Sequence, residues 1–209
     1  MTPASDRPDL QPLEPAVERA RRELAEVEPV QVARRAGCDL TADGAGVVVP
    51  LLSAAYTMTL PGAQAFDLQG KSAPRFVSDL LLLHLARADG TAVGRGWKAF
   101  RELPDGIFYH QAFRSYSGQA LVRAFGNDIE GFARAAEAAG GEPESIGERG
   151  FRFQVLPRVL LAVAYWAGDD ELPPNAEVLF DEAAHHYLPP DVLAIVGGWL
   201  AGQIIKRKG

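Results

Sequence analysis

The stretch Phe151 to Trp166, FRFQVLPRVLLAVAYW, constrains the fold more than any other part of the chain. Its first half alternates apolar and aromatic residues with polar ones, the period of a strand with one buried face. Its second half, RVLLAVAYW, is almost continuously apolar but far short of the roughly 20 residues a membrane span needs. That suits a central strand covered on both faces.

The other elements follow from similar signals. Glu14 to Val27 predicts a helix with a thin apolar stripe (Val17, Leu24, Val27), packed on the outside of the domain. Pro29 interrupts it, and a short helical piece ends at Gly37. GVVVPLLSAAYTMTLPG predicts two antiparallel strands, near Gly46–Leu51 and Ala55–Leu60, with Pro50 at an edge or bulge because it cannot donate a ladder hydrogen bond. Pro74 opens a helix that stops at Gly90 and carries His84 in a leucine run, where a satisfied, helix-flank histidine is expected. A glycine- and aromatic-rich loop from Gly94 leads into helices near Gln111–Phe125 and Ile129–Ala139, the second closed by Gly140-Gly141. Further helices are expected at Asn175–Tyr187 and Asp191–Lys206.

The order of elements predicts an α+β fold: a single domain, mostly antiparallel sheet packed with helices, plus an N-terminal helical arm. Residues 1–40 are expected to form a leader (Thr2–Pro15, mobile) and the arm, and residues 41–209 the globular domain.

Charge and cysteine content exclude several functions. With 21 basic and 27 acidic residues the net charge is -6, and the only basic run is Lys206-Arg207-Lys208. No nucleic-acid partner is expected. One cysteine, Cys38, excludes an intrachain disulfide framework, a cysteine-only zinc site and a self-contained iron–sulfur cluster. The N-terminus lacks the basic-then-apolar layout of a secretory signal, so a soluble cytoplasmic protein with no membrane partner is expected.

Four features could carry chemistry. Asp169-Asp170-Glu171 could help to hold a hard cation, but consecutive side chains splay, and a solvated turn is the plainer expectation. Arg101-Glu102, in WKAFRELPDG, could grip a carboxylate or phosphate, or form an ion pair with Asp170, Glu171 or Asp181. Either way the loop and the acidic turn are expected to meet. Asp181 is a further ligand-binding candidate. His185 and His186 are weak metal candidates: on the expected helix they would diverge, leaving Asp181–His185 and Glu182–His186 as surface pairs four residues apart, while Phe180 and Tyr187 hold the helix down. Trp97, Phe100, Phe108 and Tyr109 are expected in packing. Ser117 lacks a nucleophile elbow, and Cys38 has basic neighbours that could activate its thiol.

VVVPLLSAAYTM, LLLHL, WKAFRELPDGIFY, FGNDIEGF and VLPRVLLAVAYWAGDDELPPNAEVLFDEAAHHYLPPDVLAIVGGWL occur in this order between Val47 and Leu200. Together they resemble the bacterial and archaeal family known as domain of unknown function 3786. The resemblance picks out Trp97, Phe100, Arg101, Glu102 and Leu103, then Pro157, Gly168, Asp170, Glu171, Leu179, Phe180, Asp181, Tyr187, Leu188 and Pro189, and not the histidine pair. It departs at Pro190-Asp191. It implies proximity to metallocofactor or corrinoid metabolism, although the cysteine-rich segment of some relatives is missing here.

The function expected from these features is a non-catalytic binding or accessory module for a small molecule, a metallocofactor or a protein partner. One alternative is a carboxylate-based, possibly divalent-metal-dependent hydrolase or transferase, with Arg101 as a clamp. Another is a homo-oligomer built through the apolar last helix, where Gly197, Gly198 and Gly202 would permit close helix approach. No particular cofactor follows from the sequence.

Overall fold

The computed structural model describes residues 13–209, so the leader expected over Thr2–Pro15 lies almost wholly outside the described residues. In chain order the elements are α1 (Glu14–Ala25), α2 (Pro29–Ala36), β1 (Asp39–Leu40), β2 (Gly46–Leu51), β3 (Ala54–Thr59), β4 (Ala65–Asp67), α3 (Arg75–Arg87) and β5 (Trp97–Ala99). Then come α4 (His110–Tyr116), α5 (Gly118–Phe125), α6 (Ile129–Ala138), β6 (Glu142–Glu144), β7 (Arg149–Leu156), β8 (Val159–Trp166), β9 (Asn175–Asp181) and α7 (Pro190–Ile205). The strands make two antiparallel sheets, ordered β1-β2-β3-β4 and β5-β9-β8-β7-β6. The class is α+β.

β8 is the middle strand of the larger sheet, as its apolar run requires. Val159, Leu161, Val163 and Tyr165 are fully buried, and on the opposite face Ala162 and Ala164 are nearly so. β7 keeps its alternation, with Phe151, Phe153 and Val155 buried and Arg152 and Gln154 exposed. In the smaller sheet Pro50 pairs with Ala55, beyond the reach of β1, which meets only Val47 and Val48. Its missing N–H therefore falls where β2 is an edge. The sheets are tied where Leu52 N donates to Val155 O (2.8 Å).

The helices α4 to α7 lie with the larger sheet, while α1 and α2 pack on α3. α1 buries the narrow stripe Val17, Ala20 and Leu24. α3 is buried nearly all round, from Val77 through Leu85. α7 spends its apolar surface inside the chain: Val192, Leu193, Val196, Leu200 and Ile204 are fully buried. A Cβ at Gly197 would come 2.8 Å from the Phe113 ring, and one at Gly198 2.6 Å from the Tyr116 ring. The close approach those glycines permit is thus made to α4 of the same chain.

Two helical expectations are overturned. The helix expected over Gln111–Phe125 is two, α4 and α5, broken at Ser117 (φ -113°, ψ -97°), whose hydroxyl donates to Phe113 O at 2.6 Å. Asn175–Tyr187 is not a helix. It is the strand β9 followed by a single 3-10 turn, Ala184–His186. Ala176, Val178 and Phe180 are buried at a period of two, and β9 pairs along both edges, with β8 and with β5. A helix there would leave the backbone of the buried strand β8 without a partner on one side.

Candidate functional site

β5 runs directly into the turn Phe100–Glu102, closed by the Glu102 carboxylate accepting from Ala99 N at 2.7 Å. Phe100 anchors this turn, with its ring 4.6 Å from that of Phe113 and 5.9 Å from that of Phe180. The chain then folds back on itself at Asp105 (φ 58°) and Gly106. A Cβ on Gly106 would lie 1.9 Å from Phe100 O, so only glycine lets this backbone come so close. The contact sets the following residues on display: Ile107 is 70% exposed, Phe108 81% and Tyr109 62%. Phe108 and Tyr109 are therefore not packing residues, contrary to expectation, whereas Phe100 is.

Beside this apolar tip is a small cavity of about 190 Å³ lined by Arg101, His110, Arg114, Asn175, Ala176 and Glu177. His110 and Arg114 are one helical turn apart on α4, which brings them to the same face. Arg114 Nη2 reaches Asn175 Oδ1 at 3.5 Å, the limit of a hydrogen bond, and His110 Nδ1 is sealed from solvent without a partner. Arg101 makes no ion pair among the described residues, so the expected bond to Asp170, Glu171 or Asp181 is absent. The Arg101 loop faces the first residues of β9, just after the acidic turn, and not the acids themselves.

The acidic turn is exposed. Asp169 Oδ1 accepts from Leu172 N (2.8 Å) and Glu171 N (2.9 Å), which holds its carboxyl below the usual range. Among the described residues the Asp170 and Glu171 side chains make no hydrogen bond or ion pair of their own. Among the described residues no group of three or more His, Cys, Asp or Glu is placed to hold a metal ion.

At the other end of β9, Asp181 is 2% exposed and accepts from Ala183 N (2.8 Å) and Gly94 N (3.1 Å). Glu182 Oε1 accepts from Arg95 N at 3.1 Å, and Tyr187 Oη donates to Thr91 O. His186 Nδ1 lies 2.7 Å from Asp89 Oδ2. These bonds clasp the segment Asp89–Gly96. The Thr91 hydroxyl and amide, with His186, bring the Asp89 carboxyl down to about 2. The helical pairs Asp181–His185 and Glu182–His186 do not form. Nor do the histidines diverge, since the 3-10 turn sets their rings 4.4 Å apart. Burial and the neighbouring His186 lower the pKa of His185, whose carbonyl accepts from Arg87 Nε at 2.9 Å.

The sequence matches the family model described as "Domain of unknown function (DUF3786)" over residues 28–203. The chain belongs to that family. No curated protein and no solved structure matches it. In this DUF3786 chain no described helix is long and apolar enough to cross a membrane.

Two single residues of the DUF3786 chain also depart from expectation. His84 is fully buried, and neither ring nitrogen has a hydrogen-bond partner. Burial alone pushes its pKa down to about 3, and its ring sits 5.8 Å from that of Tyr187. Cys38 is not activated by its basic neighbours: burial, with Asp39, pushes the thiol up to about 12 against the weaker opposing pull of Arg158. The cavity residues His110 and Arg114 were not singled out from sequence, although their spacing of four in a helix was a usable signal.

Proposed function

We propose that this DUF3786 chain is a non-catalytic binding module that docks an acidic segment of a protein partner on the face formed by Ile107, Phe108 and Tyr109. One observation carries the reading: three consecutive large apolar residues stand exposed on a backbone fixed at Gly106. Soluble chains expose such contiguous groups chiefly where something covers them. The adjoining cavity supports one class of ligand. At about 190 Å³ it is smaller than the roughly 300–1,000 Å³ usual for small-molecule sites. It is suited instead to one anchoring side chain. Arg101 and Arg114, against the single carboxylate of Glu177 in the lining, favour a carboxylate there, which a guanidinium can bind through two parallel hydrogen bonds. Carboxylate catalysis has weaker support, since Asp169 is engaged in its own turn and Asp181 in the clasp.

The test is co-purification from cells that make the protein, with a photocrosslinker replacing Tyr109. One partner is expected, crosslinked through a segment rich in Asp or Glu, retained by Asp170→Asn/Glu171→Gln and lost with Phe108→Ser and with Arg101→Glu. Crosslinks to a second copy, or a partner indifferent to both substitutions, would overturn the proposal.

A further inference from the structure

A second cleft, of about 540 Å³, lies away from the Ile107–Tyr109 face and is lined by Gln31, Arg34, Arg35, Asp89, Gly90 and Arg158. Its volume falls within the range of small-molecule sites, about 300–1,000 Å³. No apolar side chain lines it, which selects for a polar ligand. Three of its six lining residues are arginines, in a chain whose net charge is -6.

The arginines reach the cleft for different reasons. Arg34 and Arg35 are in the last turn of α2, where the helix dipole favours cations in any case. Arg158 has no such reason. It comes from the turn between β7 and β8, where Leu156 pairs with Val159 and Pro157 and Arg158 make the corner. Arg158 has φ 59°, the left-handed conformation that glycine adopts most easily and a long side chain adopts at a cost. The position is nonetheless an arginine, and the structure around it holds its guanidinium in place. Nη1 donates to Gly90 O at 2.8 Å. On the other side, a Cβ at Gly37 would lie 2.8 Å from Arg158 Nε, so the glycine ending α2 leaves the side chain its room. With one of five N–H groups used on Gly90, four remain to donate. The one carboxylate lining the cleft, Asp89, is ionised and bonded to Thr91 N and His186, and the three arginines still leave the lining two positive charges in excess.

We infer that this cleft binds the phosphate monoester group of a small polar metabolite. Three guanidiniums match the double negative charge and three terminal oxygens of such a group, and Gln31 can hydrogen-bond the polar remainder.

Titration calorimetry with ribose 5-phosphate, inorganic phosphate and ribose tests the inference. Expected are saturable binding of ribose 5-phosphate that weakens as sodium chloride is raised, weaker binding of inorganic phosphate, and none of ribose. Arg34→Gln, Arg35→Gln and Arg158→Gly should each weaken ribose 5-phosphate binding at least tenfold. Arg158→Gly suits the backbone at φ 59° and the other two sites are exposed, so all three should keep the wild-type circular dichroism spectrum. The inference is overturned by no saturable binding of ribose 5-phosphate, by equal binding of ribose, or by any of the three folded variants binding as wild type does.

Discussion

The two ends of β9 carry similar inventories of polar groups and use them in opposite ways. At the far end, Asp181, Glu182, His186 and Tyr187 are all bonded, mostly to backbone groups of the Asp89–Gly96 segment. At the near end, among the described residues, Arg101 has no ion pair and His110 Nδ1, like His185 Nδ1 at the far end, has no partner, and only here do three large apolar residues face outward. One end is closed by the chain's own hydrogen bonds, and the other is left for something else to complete. A carboxylate, imidazole or guanidinium therefore marks a site only where the fold has not already engaged it.

The contrast can be broken at its closed end. Asp181→Ala would leave Gly94 N and Ala183 N without an acceptor, one of them in a buried setting, and should cost about 2–4 kcal/mol. A chain of this size loses about 2–4 °C of Tm per kcal/mol, so thermal unfolding would register it clearly. No change in Tm would mean that the clasp is ornamental to stability.

His84, on α3 with its ring against that of the clasp residue Tyr187, offers a smaller effect of opposite sign. His84→Leu removes two buried nitrogens without partners and should stabilise by about 1–3 kcal/mol at pH 7. The pH dependence sharpens this. With its folded pKa lowered from 6.5 to about 3, His84 stays neutral in the native state while the unfolded chain takes up a proton. Its contribution to stability is present above pH 6.5 and is lost as pH falls towards 3, by up to about 1.4 kcal/mol per unit. Urea titrations at pH 7, 5.5 and 4.5 should show the variant's advantage growing as the pH falls. A constant difference would mean that His84 does not titrate as described.

The open end should give the smallest effect. Phe108→Ser and Arg101→Glu lie where nothing in the chain covers them, and each should change stability by less than about 0.5 kcal/mol. Destabilisation well beyond that would show that the exposed tip supports the fold, and would remove the contrast with the clasp.

The sheet was most legible where composition leaves one solution. RVLLAVAYW is best suited to a covered central strand, and Pro50 points to an edge or a bulge because it lacks a donor. β9 reads as a helix in sequence because NAEVLFDEAAHHY satisfies two periods. Leu179, Phe180, Ala183, Ala184 and Tyr187 recur at helical spacing, while Ala176, Val178 and Phe180 alternate. The choice was made by the unpaired edge of β8, a long-range partner that no local window contains. The same limit hid the candidate site. Ile107-Phe108-Tyr109 reads as core material, and its exposure depends on the approach of Gly106 to Phe100 O. Arg158, which the sequence places at the head of the RVLLAVAYW strand run, is a corner residue that the fold brings beside α2.

The half-buried thiol of Cys38 has a consequence for the protein's chemical surroundings. With its pKa pushed up to about 12, only about one molecule in 10⁵ carries a thiolate at neutral pH, and the thiolate is the form that oxidants, disulfides and soft metals attack. It is the only sulfhydryl in the chain. Cys38 is therefore a poor nucleophile at neutral pH, and a soft electrophile offered to the folded protein should find little thiolate to react with.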